Sequence, residues 1–131
     1  MASVFTRIIK GEIPCYKIAE DDRFFAFLDI SPLAKGHTLV IPRQETDYIF
    51  DIDDLQHKDL WNFAKKVAKA VEKAVPCKRI GIAVIGLEVP HAHIHLIPMN
   101  RFSDMNFASP KLTVPAAEME EIAKKIRENL D

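Results

Sequence analysis

Cysteine is nearly absent from this chain: Cys15 and Cys77 are the only two among 131 residues. They lie far apart and in no metal-type spacing, so two free thiols are expected in place of a disulfide or a cysteine-held metal. An excess of charge of one sign is also lacking. The formal net charge is −1, with no basic block, which disfavours binding to a nucleic-acid backbone or to a membrane surface. Long hydrophobic runs are missing. No stretch approaches the ~20 apolar residues of a membrane span, and Met1-Ala2-Ser3-Val4-Phe5-Thr6-Arg7 holds no apolar signal core. The expected location is therefore the cytoplasm. There are no repeats, low-complexity segments or internal linkers. What remains is a chain of ordinary hydrophobic content, 48%, sized for one domain with one core.

The pattern along the chain predicts its elements. Residues 4–10 read as a short helix with Phe5, Ile8 and Ile9 on one side, broken by Gly11-Glu12-Ile13-Pro14. Cys15–Ala19 and Arg23–Leu28 read as strands around the turn-forming Asp21-Asp22, and His37–Pro42 as a third. Leu60, Ala64, Val67, Val71 and Val75 recur at helical spacing, with Lys65, Lys66, Lys69 and Lys73 on the other face. This predicts an amphipathic helix from about residue 54 to 75, started by Asp53 or its neighbours and stopped by Pro76. The lysine stripe reads as a solvated face, Trp61 as a partly buried anchor and His57 as a surface histidine. Arg79–Ile85 is a fourth strand, Leu87–Pro98 contains a fifth, and residues 99–114 are loop. Pro115 opens a C-terminal helix to about Leu130. Strands, helix, strands, helix predict an α+β fold: a five-stranded antiparallel sheet with helices mainly on one face.

The chemistry lies in His91-Ala92-His93-Ile94-His95-Leu96-Ile97-Pro98, which holds three of the five histidines. On a strand, side chains alternate between faces. One face then presents only imidazoles, while Ala92, Ile94 and Leu96 turn to the core. A single zinc ion fits this row poorly. Zinc needs nitrogens at about 2.0–2.1 Å, whereas strand residues two apart are separated by roughly 6.6–6.8 Å and four apart by roughly 13 Å. No metal and no cofactor are expected. Nucleophilic attack on phosphorus fits better. It needs one neutral imidazole held in a fixed tautomer, with donors nearby for the phosphoryl oxygens. The middle ring, His93, has a histidine on each side.

The histidine run resembles the signature of the histidine triad (HIT) family of nucleotide hydrolases and transferases. Three upstream segments agree in order: Ile8-Ile9-Lys10-Gly11-Glu12-Ile13-Pro14, Phe24-Phe25-Ala26-Phe27-Leu28-Asp29-Ile30-Ser31-Pro32 and Gly36-His37-Thr38-Leu39-Val40-Ile41-Pro42. The resemblance covers roughly residues 4–98. It implies one HIT-like domain over 1–131, with that core and a C-terminal loop and helix over 99–131, assembled as a homodimer. It implies attack by His93 on the α-phosphate of a nucleotide conjugate, a nucleotidyl-histidine intermediate, and release of a nucleoside monophosphate. His91 would orient His93, and His95 would donate to phosphate or to the departing group. Asp29 would accept from the ribose hydroxyls. Phe5, Ile8, Ile13, Phe27, Ile30 and Leu39 would enclose the base, with His37 in support. Each has a plainer reading: Asp29 as a turn former, the apolar set as core, His37 as a hydrogen-bonded sheet cap.

Two departures from the family pattern stand out. Many bacterial relatives carry a Cys-x-x-Cys pair before the first helix for structural zinc; Ser3 and Thr6 stand there, and neither is a good zinc ligand. Just before the triad, where the family commonly has an amide and a hydroxyl residue, this chain has Leu87 and Glu88. A carboxylate beside phosphate is repulsive, so Glu88 would act on water or on a basic leaving group, or point away. A phosphoramidase or dinucleoside polyphosphate hydrolase is the leading expectation. A nucleotide-binding module with little turnover and a metal-binding histidine protein remain as alternatives.

Overall fold

The computed structural model describes residues 2–130, so that Met1 and Asp131, the ends of the expected domain, lie outside the described residues. Its elements are α1 (Val4–Ile9), β1 (Lys17–Glu20), β2 (Phe24–Leu28), β3 (Thr38–Pro42), α2 (Asp54–Ala74), β4 (Arg79–Ala83), β5 (Ile94–Met99) and α3 (Ala116–Glu128). The five strands form one antiparallel sheet in the order β1-β2-β3-β5-β4. The fold class expected from the sequence is the one observed.

Two long helices cover one face. Asp53 caps α2 by accepting from the Gln56 N–H at 2.9 Å, and the helix ends because Val75 is extended ahead of Pro76. Leu60, Ala64, Val67 and Val71 form its buried stripe, and Met119, Ala123 and Ile126 do the same for α3. Both stripes press on Phe24, Ala26, Leu28, Val40, Ile94 and Leu96 of the sheet. Lys65, Lys66, Lys69 and Lys73 are exposed as expected. His57 is not a plain surface residue: it is half-buried and accepts from Trp61 Nε1 at 3.1 Å.

The second face is not bare, because the short α1 lies across it. Phe5 joins Phe25, Phe27, Leu39 and Ile41 in a separate buried cluster, with Ile8, Ile9, Cys15 and Val89 packed around it. All five residues of β2 and of β3 are therefore buried, which explains why these strands read as unbroken apolar runs. The fifth strand starts later than the histidine run. His91 and His93 precede it, because the ladder to β3 begins at Val40↔Ile94 and ends with Thr38↔Leu96. Before that, the backbone bonds elsewhere, with Ala92 N–H donating to Thr46 at 2.7 Å. β1 begins at Lys17, two residues after the expected Cys15, and Pro115 is the cap of α3, with the helix starting at Ala116. The 99–114 loop holds a short 3-10 turn, Phe102–Met105. Cys15 and Cys77 are free thiols. Among the described residues no helix is long and apolar enough to cross a membrane.

Candidate active site

Alternation survives the late start of β5. Ala92, Ile94 and Leu96 face the helices, and the three imidazoles face the α1 side, where they are far more buried than an open sheet face allows: His91 is 0% exposed, His93 and His95 8% each. Buried ring nitrogens must find partners, and the partners here decide where each proton sits. His91 Nε2 lies 2.7 Å from the Pro42 carbonyl. A carbonyl only accepts, so Nε2 carries the proton and Nδ1 accepts from the Ser3 hydroxyl at 2.8 Å. The His91 carbonyl in turn accepts from His93 Nδ1 at 2.8 Å. That leaves His93 Nε2 with a free lone pair. The His93 ring also stands edge-on to Phe5, 5.0 Å between centroids.

A second chain of bonds fixes His95. The Leu33 N–H donates to His37 Nδ1 at 3.0 Å, so the His37 proton sits on Nε2 and is donated to His95 Nδ1 at 2.9 Å. His95 Nε2 must then carry a proton. The two rings nearest the cleft are complementary: His93 offers a lone pair, His95 an N–H, with 4.9 Å between centroids. Burial disfavours the charged form of His37, His91 and His95. It pushes His37 down to about 3, helped by its neighbour His95, pushes His95 down to about 4, helped by His93, and lowers His91 as well. Burial raises the Asp29 carboxyl, against the Ser31 N–H that it accepts at 2.9 Å.

Asp29, His37 and His95 bring one ligand-type atom each within 4.8 Å of one another. The donor chemistry argues against a cation there. His37 Nε2 is protonated while Nδ1 accepts from Leu33, so binding a metal through Nε2 would sacrifice that backbone bond. Structural zinc beside α1 fits no better, because the Ser3 and Thr6 hydroxyls are poor ligands already committed to His91 and Glu45.

These groups open on a cleft of about 350 Å³. Of the residues singled out by sequence, Phe5, Asp29, His37, Leu39, Glu88, His93 and His95 line it. His91 sits behind His93 and does not. Ile8, Ile13, Phe27 and Ile30 are not brought to it: Phe27 is sealed between Phe5 and Phe25, Ile8 packs behind that cluster, Ile13 is half-buried elsewhere, and Ile30 is 75% exposed. Leu87 and Glu88 stand exposed on the β4–β5 connection at the cleft mouth. Sequence reasoning did not assign Ser31, Ile85, Val89, Phe107 or Lys111 to the lining. Phe107, from the 99–114 loop, packs on His95, at 4.9 Å between centroids.

Comparison with known proteins agrees with this geometry. The HIT domain profile matches residues 10–102. Adenosine 5'-monophosphoramidase hnt1 of Schizosaccharomyces pombe is 35% identical over 134 residues, covering 97% of this chain and 100% of that protein. The crystal structure of a Hit-like protein from Bartonella henselae superimposes with a TM-score of 0.84 at 34% identity, covering 98% of this chain and 96% of that one. A Zn-bound histidine triad family protein from Mycobacterium smegmatis gives a TM-score of 0.83 at 27% identity, covering 98% and 93%. With the triad, the sheet and the matched profile all in register, this chain is a member of the histidine triad (HIT) family.

Proposed function

We propose that the protein is a nucleotide phosphoramidase or hydrolase that attacks the α-phosphate of a purine nucleotide conjugate. The observation that carries this reading is the proton arrangement: a lone pair on His93 Nε2 beside an N–H on His95 Nε2, both forced by the bonds behind them. His93 Nε2 forms the bond to phosphorus as the bond to the leaving group breaks. The positive charge that develops on the ring is drawn off through Nδ1–H toward the His91 carbonyl. His95 donates a hydrogen bond to a phosphoryl oxygen or the departing atom. It is not a net proton source, since losing its proton would leave an imidazolate, and water in the open cleft protonates the leaving amine. A second water then attacks phosphorus, the P–N bond breaks, and the nucleoside monophosphate leaves. In this reading Asp29 accepts from the ribose hydroxyls, and Phe5 and Leu39 offer the base an apolar wall, all three lining the cleft. The name of the Schizosaccharomyces pombe relative, adenosine 5'-monophosphoramidase, points to the same substrate class.

Assembly as a homodimer in the cytoplasm is part of this proposal. β4 is an edge strand, and Ile82 and Ile85 beside that edge are 52% and 45% exposed, as suits a strand that pairs with a second copy. A binding module with little turnover is the rival reading, favoured by Leu87 and Glu88 at the mouth. Turnover of adenosine 5'-phosphoramidate that survives a chelator and vanishes in His93→Ala supports the enzyme. Tight AMP binding without turnover in the unmodified protein supports the module, and loss of turnover on chelation would revive a metal.

A further inference from the structure

Glu45 is exposed, follows β3, and lies outside the cleft, yet it ends a hydrogen-bonded chain that starts at the triad. Its Oε1 accepts from the Ser3 backbone N–H and from the Thr6 hydroxyl, each at 2.6 Å. Ser3 caps α1: its Oγ accepts from the Thr6 N–H at 3.1 Å and gives its single proton to His91 Nδ1 at 2.8 Å. One residue beyond Glu45, the Thr46 carbonyl accepts from the Ala92 N–H at 2.7 Å. The segment after β3 thus grips both the first turn of α1 and the backbone of the triad. A helix of only six residues cannot hold its own first turn, and a buried ring whose second nitrogen loses its donor will turn or admit water.

We propose that Glu45 is a positioning residue for the triad: through Ser3 and Thr6 it clamps the start of α1 onto the His91 ring, and so fixes the carbonyl that orients His93. This rests on the reading of His93 as the nucleophile. The Thr6 hydroxyl, and then the Ser3 N–H, hold the Glu45 carboxyl down to about 2, so the clamp stays charged at every pH where the enzyme would work. Glu45 touches no substrate. Its removal should change how well His93 is presented and leave the cleft's hold on nucleotide intact.

The test compares Glu45→Ala, Ser3→Ala and Glu45→Gln with the unmodified full chain. Each is followed by ring 15N NMR of the histidines, by AMP affinity, and by steady-state turnover of adenosine 5'-phosphoramidate. Glu45→Ala and Ser3→Ala should shift the His91 Nδ1 and His93 Nδ1 resonances and lower kcat by roughly 10-fold, at unchanged KM and AMP affinity. Glu45→Gln keeps an acceptor for both donors and should restore most of the rate, which guards against a variant that merely folds badly. Unmoved ring resonances in Glu45→Ala, or moved resonances with an unchanged kcat, would overturn the proposal. A native protein without turnover would instead defeat the enzymatic reading, and the ring resonances would still decide whether the clamp holds His91 and His93.

Discussion

His37 Nε2 lies 2.9 Å from His95 Nδ1, and the backbone N–H of Leu33 determines which of the two nitrogens holds the proton. A main-chain group four residues before His37 therefore sets which nitrogen of His95, a ring that lines the cleft, carries the proton. Replacing His37 by Ala removes the bond that excludes the other His95 tautomer. The expected result is a fall in kcat of about 10-fold, short of the 10²–10³ typical for deleting an oxyanion donor outright, with AMP affinity within a few-fold of the native value. Steady-state kinetics with parallel AMP titration checks it.

Glu88 lines the same cleft and carries the wrong charge for a phosphate neighbour. Glu88→Gln should tighten binding of phosphate-rich ligands by about 2- to 5-fold, the range for exposed charge pairs. The gain should shrink as salt is raised. Calorimetric titration of a dinucleoside polyphosphate at two ionic strengths reads both effects.

Gly36 turns the chain into β3 one residue ahead of His37. Its φ is +91°, and a Cβ there would come within 2.8 Å of Val75 Cγ2 and 3.3 Å of Pro98 Cγ. Gly36→Ala combines a disfavoured backbone with overpacking, so a loss of about 1–3 kcal/mol is expected. Urea unfolding measures it, and the Leu33–His37 bond should loosen with it.

Acid should destabilise the protein earlier than its carboxylates alone would dictate. His37 and His95 are held at about 3 and about 4, below their ordinary 6.5. The unfolded chain thus binds more protons than the folded one throughout that window. Their contribution is fully present above 6.5 and is lost as pH falls toward their folded values, at up to about 1.4 kcal/mol per pH unit for each ring. Unfolding free energy should drop between pH 6.5 and 5, well above the range in which Glu45, held down to about 2, titrates. His37→Ala should flatten that slope.

The sheet and its helices were legible because their causes are local. Leu60, Ala64, Val67 and Val71 repeat at helical spacing, Asp53 and Pro76 bound that helix, and Ala92, Ile94 and Leu96 alternate with the histidines. The family resemblance supplied the roles. What the sequence hid depends on contacts between distant segments. Nothing in Val4–Ile9 announces that Phe5 will cover the histidine face. Glu45 stands 42 residues from Ser3, and no periodicity links them. Phe107 and Lys111 reach the cleft through a loop whose path is set by the Leu112 N–H bond to the Pro32 carbonyl, 2.8 Å. Ile30 shows the converse: it neighbours Asp29 in sequence and turns outward to solvent.

The most direct test is to catch the nucleotide on the protein. Native chain mixed with adenosine 5'-phosphoramidate, quenched in alkali to spare the acid-labile P–N bond, then digested and analysed by mass spectrometry, should show an adenylyl group on His93. No adduct should form in His93→Ala. Turnover with no adduct at His93, or an adduct on another side chain, would contradict the mechanism.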